Sequence, residues 1–200
     1  METENWIIAT IGAQSVTDVE YQHILAHKSA FVEQYGEAPV SEFLGGVFST
    51  SLNEAATGQN GQLFTVCKKV AQQLWEPTEA AQVMLQGELA YYHAGKNWVA
   101  YQKSAETLFD NYKGDDAALL NDAAWAFHEY IPQPDALQKA VQWAQRSTEL
   151  LPASWNFHTL GALQLKTGDL DSAEKSAKSS FELSEPESNE AKEAQILLDR

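Results

Sequence analysis

Five histidines, one cysteine and a scatter of serines are the side chains of this 200-residue chain most able to do chemistry, and their spacing limits what they can do. His23 and His27 stand four apart, so on a helix they share a face and could hold a metal ion together. The residues between them are Ile-Leu-Ala, without the glutamate of the His-Glu-x-x-His pattern, and no third ligand is evident. Two surface histidines and no metal are expected. Cys67, the single cysteine, excludes an internal disulfide framework and any cysteine-rich metal centre. It shares an apolar stripe with Leu63, Val66, Val70 and Leu74, while Lys68 and Lys69 point around the helix, away from it. A buried, unreactive thiol is expected. His93, His128 and the pair Ser179-Ser180 have no spacing that implies a catalytic triad. Gly45-Gly46 lacks the preceding strand and the following Lys-Ser/Thr of a phosphate loop. The chain therefore reads as non-catalytic, with no cofactor.

Charge narrows the choice of partner. The formal net charge is −15, with three basic against nine acidic side chains in residues 1–76 and ten against nineteen beyond. Acidity spread so evenly repels phosphate backbones and anionic lipid heads, so neither nucleic acid nor membrane is expected as a partner. It favours solubility and a partner with a basic face. Trp6-Ile7-Ile8 is too short an apolar run for a signal peptide, and acidic residues precede it. No stretch approaches the roughly 20 apolar residues of a spanning helix. A soluble chain is expected.

Helical spacing dominates, and alternating β patterns are missing. A short helix is expected around Trp6–Ile11. Thr17 or Asp18 can cap a second, striped by Tyr21, Ile24, Leu25, Lys28, Phe31, Val32 and Tyr35 and stopped by Gly36. Pro39 opens a third with the stripe Val40, Phe43, Leu44, Val47 and Phe48. Gly45-Gly46 weakens it by about 1 kcal/mol each, or permits close helix packing. Asn60-Gly61 marks a turn before a fourth helix, Gln62–Trp75. Glu76-Pro77-Thr78 is the clearest internal punctuation, and it separates an N-terminal segment, 1–76, from regular helix pairs in 77–200. The pairs fall at 79–94 with 97–112, 118–131 with 135–150, and 154–166 with 170–183. A last helix, 187–198, shows Ala191, Ala194, Leu197 and Leu198 on one side and charges on the other, as a terminal cap requires.

From Leu120 to about Pro186 the chain repeats at an offset of 33 residues. Leu137, Ala140, Ala144, Ser147, Glu149 and Leu150 return as Leu170, Ala173, Ala177, Ser180, Glu182 and Leu183. A period in the low thirties marks a helical array. The expected fold is all-α, a right-handed array of about ten to eleven helices.

The third pair, FHTLGALQLKTGDLDSAEKSAKSSFELSEP (Phe157–Pro186), resembles a tetratricopeptide repeat. Phe157 stands at that family's large aromatic, Leu160-Gly161 at its Leu-Gly, Gly168 at its turn and Ala173 at its small position, with Pro186 closing the unit one place late. Gly161 and Ala173 would let the two helices approach closely. The second unit, Asn121–Pro152, keeps Ala140, Leu150 and Pro152 but has His128 at the glycine position and Pro-Gln-Pro at the turn. The first, Ala81–Tyr112, retains Tyr91, Gly95, Trp98 and Ala100. Four segments, His27–Gly36, Glu88–Phe109, Leu119–Tyr130 and Leu137–Pro152, are also similar to the helical extension that follows the thioredoxin domain in some bacterial thioredoxin-family proteins. That resemblance implies a redox domain upstream of Met1, and a periplasmic location if a signal peptide precedes it. The chain itself has no Cys-x-x-Cys, so it performs no thiol–disulfide exchange of that type.

In tetratricopeptide arrays the first helix of each pair lines the inner face. Carried onto this chain, those positions are Leu85, Leu89 and Tyr92, then Asp122, Trp125 and Glu129, then Trp155 and His158. The resemblance thus implies an aromatic and acidic groove suited to a protein or peptide with apolar anchors and a basic group. Core packing is the competing role for Trp125 and Trp155. The Lys/Asn/Arg clamp that some tetratricopeptide proteins use for a terminal carboxylate is absent from these positions. Two other classes stay open: a structural or dimerising extension, and a hydrolase or metal enzyme, which needs a cleft where His, Asp or Glu side chains converge.

Overall fold

Prolines, caps and glycines divide the chain into helices close to those expected. The computed structural model describes residues 6–112, 114–186 and 188–198. Within these the elements are α1 (Trp6–Gly12), α2 (Val19–Ala26), α3 (Lys28–Tyr35), α4 (Glu37–Thr57), α5 (Gly61–Leu74) and α6 (Pro77–Ala94). They continue as α7 (Trp98–Asn111), α8 (Ala117–Tyr130), α9 (Pro134–Leu150), α10 (Ser154–Thr167), α11 (Leu170–Leu183) and α12 (Asn189–Leu198). The fold is all-α, a helical array with no strand among the described residues. Two compact units divide it, one up to Leu108 and the other from Phe109 onward.

In the first unit α4 runs unbroken through its two glycines, and α5 and α6 both pack against this helix. A Cβ at Gly45 or Gly46 would meet no atom within 4 Å, so these glycines serve no close approach. The close approach lies at Gly87 of α6, where a Cβ would fall 2.7 Å from Leu52 Cδ2. The stripe expected to run unbroken from Tyr21 to Tyr35 is split at His27, whose φ of −114° and ψ of 24° lie outside the helix. Its carbonyl then opens α3 by accepting from the N–H groups of Ala30 and Phe31. Tyr21, Ile24 and Leu25 of α2 and Phe31 of α3 are all buried. Asp18 stands at the N-cap of α2 as expected, but its carboxylate accepts from Gln14 N and Ser15 N at 2.8 and 2.7 Å, steadying the loop before the helix. Gly36, at φ 91° and ψ 154°, occupies backbone space open essentially to glycine alone. The core gathers large, unlike side chains: Tyr21, Ile24, Leu44, Phe48 and Val70. Tyr21 still donates its hydroxyl to the Leu44 carbonyl at 3.1 Å.

The second unit is built from α8/α9 and α10/α11, with α12 against α10 and α11. Asp116 and Asp169 cap α8 and α11 by accepting from Leu119 N and Ser172 N. Gly168, at φ 88°, ends α10 in the left-handed conformation. The interior of the second unit mixes small and large side chains: Ala123, Ala124, Ala140, Ala144 and Ala177 are buried, and so are Phe127, Trp143 and Leu163. The serine repeated at an offset of 33 residues makes an equivalent contact in each hairpin. Ser147 of α9 donates to the carbonyl of Ala117, the first residue of α8, at 2.7 Å. Ser180 of α11 donates to the carbonyl of Ser154, the first residue of α10, at 2.9 Å. Asn156, fully buried, ties the pairs together: its Nδ2 donates to the carbonyls of Ser147 and Leu151, and its Oδ1 accepts from Ala153 N. At Gly161 a Cβ would meet Ser176 Cβ at 3.4 Å, ordinary contact, so the helices come close there without excluding alanine. In α12, Ala191 and Ala194 are buried; Glu187 and the Leu197 side chain lie outside the described residues.

Candidate functional site

On α8, Asp122, Trp125 and Glu129 are spaced three and four apart and so share a face. Asp122 and Glu129 are exposed and Trp125 is half-buried. The Trp125 ring stacks on His128 at 4.8 Å with a 22° interplanar angle, and lies 5.7 Å from the His158 ring of α10. Sequence spacing assigned His128 no role; the structure puts it at the centre of this cluster. The signal was local, because His128 is one turn from Trp125 on the same helix. Lys166 of α10 donates to the His128 carbonyl, a contact invisible before α8 and α10 are packed. His128 Nδ1 lies 3.2 Å from Glu129 Oε1, so the imidazole donates there and leaves Nε2 as an acceptor. Burial, then the Lys166 ammonium, hold the His128 pKa below the ordinary histidine value, although Glu129 opposes both. His128 is neutral at pH about 7.

Trp155, in the first turn of α10 and 37% exposed, borders an open depression of about 480 Å³. Pro152 and Leu183 form its apolar side, and Ser154, Ser184, Glu185 and Ser188 its polar side. Ser154 Oγ and Ser184 Oγ are 2.7 Å apart, which fixes the polar wall. A repeat-related leucine accounts for part of the apolar surface here: Leu150 is half-buried, whereas its counterpart Leu183 is half exposed. Leu183 and Glu185 escaped sequence reasoning, because their place beside Trp155 depends on the packing of α10 against α11.

The remaining three predicted positions belong to the first unit. Leu85 and Tyr92 are half-buried, and the Tyr92 ring meets that of Tyr91 at 5.6 Å. Leu89 is 4% exposed and offers no surface to a ligand: α6 is covered by both α4 and α5, so more than one stripe of it is internal. His23 and His27 bring their rings to 4.4 Å, and His27 Nδ1 donates to the His23 carbonyl at 2.9 Å. Burial pushes the Cys67 thiol up to about 11, so it stays protonated. Among the described residues no group of three or more His, Cys, Asp or Glu is placed to hold a metal ion, and no helix is long and apolar enough to cross a membrane. Neither family models, curated proteins nor solved structures yield a match to the chain.

Proposed function

We propose that this chain is a non-catalytic protein-interaction module that binds a peptide or protein segment carrying apolar anchors and a basic group. One observation carries the reading. Trp155 keeps more than a third of its surface exposed beside a depression that joins an apolar wall, Leu183 and Pro152, to the acidic Glu185. Large rigid aromatics at such edges dominate peptide affinity. One turn further along α10, His158 meets Trp125, whose own helix presents Asp122 and Glu129. The net charge of −15 would speed the encounter with a basic partner and make it salt-sensitive.

The test is selection of displayed random peptides on the immobilised protein, repeated with Trp155→Ala. Enriched sequences should combine a large apolar residue with Lys or Arg, and the substitution should abolish enrichment. A motif that survives Trp155→Ala, or one rich in Asp and Glu, contradicts the proposal.

In this reading the module is the helical extension of a larger thioredoxin-like protein. The four segments that resemble such an extension fold as α3, the end of α6 with α7, α8 and α9. A Cys-x-x-Cys-bearing domain encoded upstream of Met1 would support that link, and a stop codon there would remove it. A second reading, a dimerising surface, draws on Leu170 and Phe181, exposed apolar side chains eleven residues apart and so on one face of α11. Light scattering that returns a monomer at high concentration counts against it.

A further inference from the structure

An apolar recess of the first unit runs between α5 and α6, with a volume of about 500 Å³. That lies within the ~300–1,000 Å³ range of small-molecule sites. Its α6 wall is one stripe, Pro77, Ala80, Ala81, Met84, Leu85 and Glu88, which at 1.5 Å per residue makes a trough roughly 16 Å long. Ala71 faces this stripe from α5, so small side chains on both helices leave the space unfilled, and Met84 is the residue most able to adjust to an occupant.

The charged residues of the lining, Lys68 and Glu88, stand together as an ion pair at one end. Lys68 Nζ is 2.7 Å from Glu88 Oε1 and 5.3 Å from the centroid of the Phe64 ring, so the ammonium is held in place while its side chain stays 45% exposed. Glu88 has little left to offer a ligand. Its second oxygen accepts from Ser104 Oγ at 2.7 Å, and its side chain is 17% exposed. An ammonium has three N–H donors, and Glu88 takes one. At the far end stand Pro77 and, near it in sequence, the exposed acids Glu76 and Glu79, which disfavour an anionic head there.

We propose that this trough binds a fatty carboxylate of medium chain length, with its apolar chain along α6 and its carboxylate accepting from Lys68. Lys68 brings to one end of the trough the N–H donors that Glu88 does not take, and acids flank the other end, so the trough matches an apolar chain with one anionic end. The proposal is separate from the peptide reading, because every lining residue belongs to the first unit and Trp155 is not among them.

The test is calorimetric titration of the full chain with decanoate, decanol and decyltrimethylammonium, each below its aggregation threshold. Decanoate should saturate one site and decanol should bind about tenfold more weakly, the loss expected for one charge-assisted hydrogen bond. Lys68→Gln should weaken decanoate about tenfold without moving decanol, and Lys68→Arg should restore most of it. Ala81→Phe, at an exposed lining position, should fill the trough and abolish binding with the melting temperature unchanged. Absence of saturable decanoate binding, equal affinity for decanol, preference for the cation, or indifference to both Lys68→Gln and Ala81→Phe overturns the proposal. So does an apolar peptide with a free C-terminal carboxylate that displaces decanoate at lower concentration.

Discussion

The two units fill their interiors with different mixtures of side chains. The first packs large side chains of different shape, such as Tyr21, Phe48 and Val70, between helices of seven to twenty-one residues. The second buries Phe127 and Leu163 as completely, but sets them among alanines such as Ala124, Ala144 and Ala177 and adds a matched serine hydrogen bond to each of its two hairpins. Shape complementarity between unlike residues makes each position of the first unit individually important. The repeat does not carry its burial over everywhere, because Leu170 and Leu183 are exposed where their counterparts Leu137 and Leu150 are buried and half-buried.

Truncation should break the contrast most forcefully. Phe48→Ala empties a site where the ring is 1% exposed and edges Trp75 at 4.9 Å, and should cost about 3–5 kcal/mol in urea unfolding. A loss below 1 kcal/mol would mean that the first unit packs far more loosely than its burial implies. Two glycines provide a comparison of sign. Gly87→Ala drives a methyl group into Leu52 and should destabilise by about 1–3 kcal/mol. Gly161→Ala meets only ordinary contacts and should stabilise by up to about 1 kcal/mol through helix propensity. If both destabilise equally, the second unit is packed as tightly as the first. Ser147→Ala and Ser180→Ala should each cost about 1 kcal/mol, and the costs should agree within experimental error if the repeat is energetic as well as geometric. The smallest effect concerns pH. His128 is less basic folded than unfolded, so the unfolded chain binds more protons as pH drops below about 6.5. Its contribution to stability is therefore present above that value, declines as pH falls toward the folded pKa, and levels off below it. Urea midpoints for the protein and His128→Gln should diverge at neutral pH and converge in acid.

Much of the fold was legible because its signals are local. Pro77, Pro134, Asn60 and Asp169 mark helix starts through backbone chemistry that needs no tertiary partner, and each helix of the three expected pairs begins and ends within two residues of its expected bounds. The split at His27 was not legible. Neither proline nor glycine stands there, and the break follows from how α2 and α3 pack. The glycines were misleading for a related reason. Gly45-Gly46 attracts notice as a pair but touches nothing, whereas isolated Gly87 meets Leu52, a partner on another helix. At the candidate site, Asp122, Trp125, Glu129, Trp155 and His158 were all reached in the same way, as first-helix positions carried over from the tetratricopeptide resemblance. Leu89 was misplaced because a first helix packed on two sides buries more than one stripe. Lys166, Leu183 and Glu185 join the site only through contacts between helices, on which spacing along one helix is silent.

The claim that the second unit is the peptide-binding surface is tested most directly by isotope-labelled NMR titration with a selected peptide bearing an aromatic anchor and two arginines. Shifts should concentrate at Trp155, Leu183 and Glu185, extend to Trp125 and Glu129, and weaken as salt rises. Shifts confined to residues before Phe109, or unchanged in Trp155→Ala, would contradict it.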